Sequence, residues 1–450
     1  MEGHNISVST DVTGALDLTM EVSSSNCYVA DAQRESMSPQ QFTATYDQAR
    51  DFIREAGRST IDAELEKKRH AYRVAGVTVE DITKLTDRFW AFYLGGALPH
   101  YLCFITERTI LTRSFTGRCT VDLAACTIVS IHQNLCMGSI APHVKRQPHF
   151  KDLIQQLERF GICGDFMLTE LGHGLDARNI ETTATLSADG TYFDLHSPSP
   201  DAAKSMPPVT PLGGLPKVAV VFAQLIVDGA THGVRTLVVH LTDGTHMYPG
   251  ITTALLPQRP GCRPLDHAVT SFNHVRLSRD SLLGEIKNAE DKRMSFFREI
   301  HRVNVGGLAL SLVNVPALKA GAYLAYTFSQ QRTVINPTTQ QAVPVLSFPT
   351  QYGPIISAVA HASVMEAAGR YITSIFQQPG IPQALKQTLV GVFKATATYA
   401  TQRHLSELTD RCGWRGLFSF NKISELQLAL KGNSIAEGDV MVLCISRWRP

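Results

Sequence analysis

The spacing of apolar positions changes twice along this chain of 450 residues. Apolar residues recur at helical spacing over residues 39–160, in short β-branched runs over residues 161–285, and again at helical spacing over residues 286–450. Residues 1–38 are polar and rich in serine, which predicts a mobile extension. The pattern therefore predicts an α+β fold with an N-terminal helical domain, a central antiparallel β domain and a C-terminal helical bundle.

The β domain is predicted from six runs rich in β-branched and aromatic residues. They cover residues 166–169, 181–186, 191–196, 218–227, 234–241 and 270–277. Turn sequences such as Asp228-Gly229 separate the runs, and a proline-rich loop over residues 205–216 interrupts them.

Longer apolar patterns predict the helices on either side of the β domain. In the C-terminal bundle they cover residues 291–329, 351–377, 383–408 and 423–430, and Pro316 is expected to kink or divide the first of them. Before the β domain, residues 122–137 fit either a strand or a buried helix, and the helical patterns around them favour a helix. Residues 149–159 predict a short surface helix.

Composition narrows the class of protein. Apolar residues make up 44% of the chain and charged residues 18%, which is typical of a globular enzyme. A net charge of +2 without a basic block gives no electrostatic argument for nucleic-acid binding. The nine cysteines include no CxxC pair, so no metal site is predicted.

No recognisable targeting signal is predicted from the sequence. No uninterrupted run approaches the roughly 18–20 apolar residues of a membrane span, so none is predicted. The N-terminal stretch has no arginine before Arg34, which argues against a secretory signal or a transit peptide. The final residues, Trp448-Arg449-Pro450, do not match a Ser-Lys-Leu-type peroxisomal address. These features predict a cytoplasmic or peroxisomal protein.

Candidate chemistry begins where the first predicted strand ends. An apolar run from Phe166 ends in Thr169, and Gly172 and Gly174 follow, which predicts a tight backbone turn. Such a turn exposes peptide N–H groups and a hydroxyl at a strand end, an arrangement that holds the polar edge of a cofactor. The glycines alone would equally fit an ordinary connection between two strands.

The whole phrase around these glycines is more specific. Thr-Glu-Leu-Gly-His-Gly from Thr169 to Gly174, then Glu-Thr-Thr-Ala-Thr over residues 181–185, closely resembles the flavin-binding segment of the acyl-CoA oxidases, within the acyl-CoA dehydrogenase superfamily. Later stretches resemble the same family in the same order, at residues 219–225, 272–284, 323–351 and 412–439. The resemblance implies an FAD-dependent acyl-CoA oxidase or dehydrogenase of fatty acid metabolism.

The resemblance also implies which residues hold the cofactor. The implied contacts with FAD are Thr169, Gly174, Gly213, Arg332, Gln351 and Gly413. Arg332 suits the diphosphate of FAD, because a guanidinium makes paired hydrogen bonds to phosphate oxygens. In the family, the positions that match Arg332 and Gln351 often reach the cofactor of a neighbouring subunit, which predicts a homodimer or homotetramer.

Glu437, within Ala-Glu-Gly-Asp, matches the catalytic base of the family. A carboxylate in an apolar pocket has a raised proton affinity and can remove the acidic α-proton of an acyl thioester, whether acyl-CoA or carrier-bound. The flavin then accepts the β-hydrogen as hydride. Outside this context, a single glutamate before a glycine is typical of a surface turn.

Three departures from the family pattern favour an unusual substrate in a specialised or secondary-metabolite pathway. The Trp pair that often lies beside the flavin is replaced within residues 204–208. Leu175 stands where a serine often follows the Gly-x-Gly turn, and Arg415-Gly416-Leu417 replaces a His-Gly-Tyr element.

Two alternatives stay open at the level of sequence. Resemblance to the oxidases implies dioxygen as electron acceptor, whereas a dehydrogenase would pass electrons to a separate electron-transfer flavoprotein. The competing class of function is a non-catalytic scaffold or partner-binding subunit that retains the acyl or flavin pocket. The altered flavin wall favours the scaffold, while retention of Thr169, Arg332 and Glu437 favours the enzyme.

Overall fold

The structure, a computed structural model, describes Thr120 and residues 123–211, 214–257, 259, 261–262, 265–286 and 292–446. These residues belong to one compact unit of the chain, residues 53–450. The predicted mobile extension, nearly all of the predicted N-terminal helical domain and Gly213 lie outside the described residues. The boundaries of the predicted domains therefore stay predictions.

A buried helical segment leads into the sheet. It begins as α1 (Leu123–Val129), widens into a π-helix over Ser130–Met137 and ends in the α-helical turn Gly138–Ile140. All residues from Ile131 to Met137 are buried. The predicted helix over residues 122–137 is therefore confirmed, and its wide π-helical turns are of a kind often found at functional sites.

Shorter helical elements connect the larger ones. The surface helix α2 (Lys151–Glu158) confirms the helix predicted over residues 149–159. Short 3₁₀ turns cover Ala141–His143, Pro148–Phe150, Pro200–Ala202, Arg279–Ser281, Val345–Ser347, Gly413–Leu417, Ser419–Asn421 and Gly432–Ser434.

Two sheets occupy the centre of the described chain. Their strands are β1 (Cys163–Met167), β2 (Thr183–Leu186), β3 (Tyr192–His196), β4 (Lys204–Met206), β5 (Lys217–Val227), β6 (Ala230–Thr242), β7 (Ile251–Leu255), β8 (Ala268–Phe272) and β9 (Val275–Ser278). The larger sheet has the order β1-β5-β2-β3-β9 with β6 beside β5, and the smaller has the order β4-β8-β7. Strand β4 lies at the start of the loop that was predicted over residues 205–216.

The larger sheet is mixed, so the prediction of a wholly antiparallel β domain is wrong in this respect. Strand β5 runs parallel to β1, with Cys163 opposite Lys217, and parallel to β2, with Thr183 opposite Gln224. These strands are joined by long connections rather than by hairpins, and a long connection lets the chain return in the same direction. The predicted hairpin between β5 and β6 is antiparallel.

Strand β5 lies at the centre of the core and is buried on both faces. Val218, Val220 and Phe222 face the π-helical segment and α2. The alternating residues Ala219 and Val221 face the hydrophobic cluster that includes the smaller sheet. This double burial explains why the sequence of β5 is a continuous apolar run without polar alternation.

Helices dominate the chain after the sheets. They are α3 (Lys292–Glu299), α4 (His301–Leu312), α5 (Asn314–Gln331), α6 (Pro349–Gln377), α7 (Gln383–Arg411), α8 (Ile423–Lys431) and α9 (Val440–Ser446). A small hairpin, β10 (Thr333–Ile335) with β11 (Ala342–Pro344), joins α5 to α6. Pro316 lies in the first turn of α5, where its missing N–H is tolerated, so the predicted division near this proline is confirmed.

One stretch of these helices is apolar enough to resemble a membrane span. By length and composition alone, the run His301–Gln331 is long and apolar enough to cross a membrane. No such segment is predicted from the sequence when only uninterrupted apolar runs are counted. However, 78% of its most apolar window is buried inside the protein, as in the core helix of a globular domain.

Helix α7 runs alongside α4 and α5 in the same direction. Near its beginning, Val390 packs against Gly307, and further along Leu405 packs against Gly321. At its end, the carbonyl oxygen of Arg411 accepts a 2.6 Å hydrogen bond from Gln351 at the start of α6. This long helix therefore connects two regions that carry predicted site residues.

Candidate active site

Glu437 lies in a strained loop between α8 and α9, which we call the base loop (residues 435–439). The backbone of Glu437 has a φ of +55°, and Gly438 follows with a φ of +96°. A left-handed conformation costs a residue with a Cβ about 1–2 kcal/mol. The loop therefore needs support from the surrounding structure to keep this shape.

Lys394 of α7 provides that support. Its side chain is fully buried, and its ammonium donates hydrogen bonds to the carbonyl oxygens of Ala436, Glu437 and Gly438. Three consecutive peptide groups of the base loop therefore converge on one cation.

The carboxyl group of Glu437 packs directly against the backbone of α4. A methyl carbon placed on Gly306 would lie only 1.3 Å from Oε2 of Glu437, so this position accepts no side chain in the present arrangement. Oε2 is buried and accepts no hydrogen bond within the described residues. A buried carboxyl oxygen without a donor is destabilising, and it is poised to take up a proton.

Burial and nearby cations act in opposite directions on this carboxyl group. Burial raises the pKa of Glu437 to about 8, whereas the positive charges of Lys394 and Arg302 lower it. Arg302 is held in place by Asn134, since its Nε and Nη2 donate to the carbonyl oxygen and Oδ1 of Asn134 at 2.9 and 2.6 Å. The result is a carboxyl group with a high proton affinity, as a general base requires.

Thr169 follows the end of β1 and is exposed. Its carbonyl oxygen accepts a 3.0 Å hydrogen bond from the backbone N–H of Ser205, while its hydroxyl has no partner within the described residues. The next residue, Glu170, is buried and fixes the turn. Its carboxylate accepts hydrogen bonds from the N–H of Glu181 at 2.7 Å and from Lys204 Nζ at 2.9 Å. This network presents the Thr169 hydroxyl on a rigid support.

The glycines after Thr169 do not serve the purpose predicted for them. Neither Gly172 nor Gly174 has a positive φ, so the turn does not depend on left-handed glycine. Gly172 instead permits close packing, because a methyl carbon there would lie 2.7 Å from Cβ of Asp201. A methyl carbon on Gly174 would meet no atom within 4 Å, so open space lies beside that residue.

The remaining predicted contacts lie together at the far end of the helical bundle. Arg332 follows α5, and its guanidinium is exposed without a hydrogen bond or ion pair to the described residues. The amide nitrogen of Gln351 donates to Ser329 Oγ at 2.7 Å and to the carbonyl oxygen of Arg411 at 2.6 Å. Gly413 lies two residues after the end of α7 and has a φ of +57°.

These intrachain bonds give Gln351 a structural use, and its contact with FAD stays a prediction. Both hydrogens of its amide are engaged in joining the ends of three helices, which leaves Oε1 as its remaining polar atom. Gly213 lies outside the described residues, so its predicted contact also stays a prediction.

The predicted residues thus fall into two groups. The elements next to Thr169 and Glu437 both contact the π-helix: Gly164 of β1, the strand before Thr169, donates to His132 at 2.8 Å, and Arg302, which acts on Glu437, donates to Asn134. Arg332, Gln351 and Gly413 lie near the C-terminal end of α7. Lys394, near the middle of α7, and Arg411, its last residue, are separated by roughly 25 Å along the helix axis, at about 1.5 Å per residue.

Several residues of the site carry no motif that identifies them in the sequence. Lys394 interrupts an apolar stretch of α7, and such an isolated lysine indicates a buried charge with a specific partner. The Gly306-Gly307 pair within a helix indicates a close approach by another segment. Both features are visible in the sequence, but neither names its partner.

Comparison with known families matches residues 310–449 to the acyl-CoA oxidase C-alpha1 domain. The chain is 27% identical over 316 residues to human peroxisomal acyl-coenzyme A oxidase 3, which covers 64% of this chain and 45% of that protein. It spans about half the length of the first curated relatives it matches.

Solved structures share its architecture at lower identity. Acyl-CoA oxidase 1 from Yarrowia lipolytica superposes with a TM-score of 0.67 at 19% identity, covering 88% of this chain and 63% of that one. Glutaryl-CoA dehydrogenase from Mycobacterium smegmatis, solved with FADH2, superposes with a TM-score of 0.64 at 16% identity, covering 93% and 95%. These likenesses confirm the α+β fold predicted from the sequence.

Proposed function

We propose that this chain, which matches the acyl-CoA oxidase C-alpha1 domain over residues 310–449 and shares the fold of acyl-CoA oxidases and dehydrogenases, binds FAD and oxidises an acyl thioester to its α,β-unsaturated form. The observation that supports catalysis most directly is the carboxyl group of Glu437. It is buried with a raised pKa, it has an oxygen without a hydrogen-bond donor, and it is held against α4 by a dedicated lysine.

The described residues fit FAD in three respects. Open space beside Gly174 follows the exposed Thr169 hydroxyl, which suits the polar edge of a flavin. The exposed Arg332 guanidinium has no partner among the described residues and suits a diphosphate. Glu437 Oε2 lacks a donor and suits contact with a substrate proton beside the flavin. The structure of the glutaryl-CoA dehydrogenase relative with FADH2 supports the choice of cofactor.

In the proposed reaction, Glu437 removes the α-proton of the thioester through Oε2. FAD, when bound, supplies the acceptor for the β-hydrogen, which leaves as hydride. The burial of Oε2 raises the proton affinity of the Glu437 carboxyl group and so strengthens the base. The network around Glu170 and Lys204 fixes the Thr169 turn, so that its hydroxyl and peptide groups keep one orientation.

Two copies of the chain would complete each cofactor site. Arg332 and Gly413 lie near the C-terminal end of α7, whereas Lys394, which binds the base loop, lies roughly 25 Å from that end along the helix axis. A single chain therefore presents the base and the proposed diphosphate contacts in two separate places. A partner copy that brings its Arg332 to the first chain's flavin would join them, which supports a homodimer or homotetramer.

The altered residues beside the proposed flavin site support a proposal about the acyl group of the substrate and about the pathway. Ser205 and Met206 form part of β4 at the position where the family often has a Trp pair. We propose that this smaller wall admits an unusual acyl group, carried by CoA or by a carrier protein, in a specialised or secondary-metabolite pathway. The names of the peroxisomal oxidase relatives support a peroxisomal location over a cytoplasmic one.

The purified protein is expected to be yellow, and an anaerobic titration with saturated acyl-CoA thioesters of different lengths tests the proposed reaction. At least one thioester should bleach the visible absorption of the flavin as it is reduced. Admission of air should restore the colour and form hydrogen peroxide if dioxygen is the acceptor, as the oxidase relatives support. Slow recovery in air, with fast recovery on addition of an electron-transfer flavoprotein, would identify a dehydrogenase. A colourless protein that binds no added FAD would favour the scaffold.

Arg332→Ala is expected to weaken FAD binding by at least tenfold. A charged hydrogen bond to phosphate contributes about 1.5–3 kcal/mol, and each 1.4 kcal/mol changes affinity about tenfold. Arg370→Ala is a matched control, because Arg370 is also an exposed helical arginine, and its guanidinium donates a 2.6 Å hydrogen bond to Glu366 one turn away on the same helix. The retained flavin is measured after dilution and gel filtration. Equal retention in both variants would exclude Arg332 from the cofactor site.

The FAD-bound protein is expected to be at least a dimer in solution. The apolar residues exposed around the proposed interface near Gly413 include Trp414, Leu417 and Phe418 and would be covered by a second copy. Light scattering coupled to gel filtration measures the mass directly. A monomer that keeps its flavin at low concentration would contradict the two-copy site.

A further inference from the structure

Lys394 lies in the middle of α7, on the side that packs against α4. It follows Val390, which contacts Gly307, by one helical turn. Its side chain has no exposed surface. A buried ammonium is costly unless its hydrogen bonds are satisfied, so the position is explained only by what the ammonium binds.

The ammonium group binds three successive carbonyl oxygens of the base loop, those of Ala436, Glu437 and Gly438. An ammonium has three N–H donors, so its hydrogen-bonding capacity is filled by this one loop. Three bonds to adjacent peptide groups fix the orientation of each peptide plane. These peptide groups belong to the part of the loop in which Glu437 and Gly438 have left-handed φ angles. This backbone conformation directs the Glu437 side chain toward Gly306.

We propose that Lys394 is a positioning residue for the base: it holds the base loop so that Glu437 faces Gly306, and its positive charge favours the ionised carboxylate. This inference rests on the proposed role of Glu437 as the base. Lys394 itself touches neither substrate nor cofactor in this scheme and acts on the base through the loop and through its charge.

The charges around Glu437 come from three elements. Lys394 extends from α7 and Arg302 from α4, and both act on Glu437, while Asp439 of the base loop acts on Lys394. Arg302 donates to Asn134 through its guanidinium, and Lys394 donates to the carbonyl oxygens of the loop that carries Glu437. Removal of the lysine charge removes one of the two cations that oppose the effect of burial on the pKa of Glu437.

The sign of the effect on the pKa follows directly. Burial raises the pKa of Glu437 to about 8 while Lys394 and Arg302 oppose it. Without the charge of Lys394, the pKa rises further, by about one unit for the loss of a nearby opposite charge. A smaller fraction of the carboxyl group is then ionised at any pH below that value, and the rate of proton removal falls with it.

Two substitutions separate the charge of Lys394 from its hydrogen bonds, and a third variant serves as the control. Lys394→Gln removes the charge and keeps an amide with two N–H donors, whereas Lys394→Met removes both. Lys386→Met is the matched control, because Lys386 lies on the same helix and donates a 2.7 Å hydrogen bond to a backbone carbonyl, that of Phe376, away from the base loop. Circular dichroism checks the fold of each variant.

The first measurement needs neither cofactor nor substrate. Infrared difference spectra between each protein and the same protein with Glu437→Gln report the titration of the Glu437 carboxyl group. The midpoint should lie about one pH unit higher in Lys394→Gln than in wild type. It should be unchanged in Lys386→Met.

The second measurement is anaerobic, single-turnover reduction of the FAD-bound protein by an acyl thioester. At neutral pH, Lys394→Gln should be about tenfold slower than wild type and should recover at higher pH, because one pKa unit changes the ionised fraction tenfold. Lys394→Met should lose about 10²-fold and recover only in part, since the base is then also misplaced. Bound FAD should be equal in all variants.

An unchanged infrared midpoint in Lys394→Gln, with reduction rates within twofold of Lys386→Met, would overturn the proposal. Failure of Lys394→Gln to fold while Lys386→Met folds would also overturn it, in favour of a purely structural lysine. A shifted midpoint in a protein whose wild type reduces no flavin with any acyl thioester would support Lys394 as the residue that positions Glu437 and would reject the proposed function instead.

Discussion

Glu437→Gln is expected to slow the reduction of bound flavin by an acyl thioester by about 10²–10⁴-fold. An amide cannot accept the α-proton, although it has nearly the same size and polarity as the carboxyl group that it replaces. The fold, the flavin content and much of the substrate affinity should therefore be unchanged. The rate in the wild type should rise with pH through about 8, because the base acts in its ionised form and burial raises its pKa to that value.

Anaerobic single-turnover measurements isolate this chemical step from reoxidation. Asp439→Asn is the matched control, since Asp439 lies in the same loop and its Oδ1 accepts hydrogen bonds from Met441 and Val442 at 2.9 and 3.1 Å. An asparagine keeps that helix cap, so its rate should stay within about tenfold of the wild type. A Glu437→Gln rate within twofold of the wild type would remove Glu437 from the mechanism. Glu425, another carboxylate in the C-terminal part of the chain, forms a buried ion pair with Lys422.

Gly306→Ala is expected to slow flavin reduction by about 10²-fold without loss of the fold. The new methyl carbon would occupy the space of Glu437 Oε2, which lies 1.3 Å from that position. The carboxyl group is the flexible end of a side chain, so it moves aside while the backbone of α4 stays in place. A displacement of about 1 Å at a reacting group costs about 10²-fold in rate.

Gly353→Ala separates this effect from the general effect of alanine in a helix. A methyl carbon on Gly353, in α6, would meet no atom within 4 Å. Alanine is favoured over glycine in a helix by about 0.5–1 kcal/mol, whereas the ring of Pro354 disfavours a helical conformation at a preceding residue with a Cβ, so this control should keep the fold and the rate of the wild type. Both thermal unfolding and single-turnover rates are measured. Equal rates for the two alanine variants would show that Glu437 is not packed against Gly306 during catalysis.

Much of the helical bundle could be predicted from the sequence because its helices are long and strongly periodic. The helix predicted over residues 351–377 lies at Pro349–Gln377, and that over 383–408 extends to Arg411. The proline near the start of α5 marked a real division, since proline restricts where a helix begins. Local preferences were sufficient for these elements.

The sheet and the support of the site depend on contacts between distant residues, which local patterns do not contain. The parallel pairing of β5 with β1 and β2 joins strands that are far apart in the sequence. Lys394 and the base loop are likewise brought together only by the packing of α7 against the chain end. Gly174 looked like a turn glycine, but its backbone is not left-handed, and open space beside it is visible only in three dimensions.

The unfavourable conformation and burial of Glu437 have an evolutionary consequence. Its left-handed backbone, its buried carboxyl group and its oxygen without a donor each lower the stability of the chain. Most proteins lie close to a stability threshold, so a lineage that had lost its chemistry would gain by replacing this residue, and glutamine is one base change away in the codon. As the proposed base, Glu437 would be retained by selection for turnover, whereas selection for folding alone would act against a glutamate at this position.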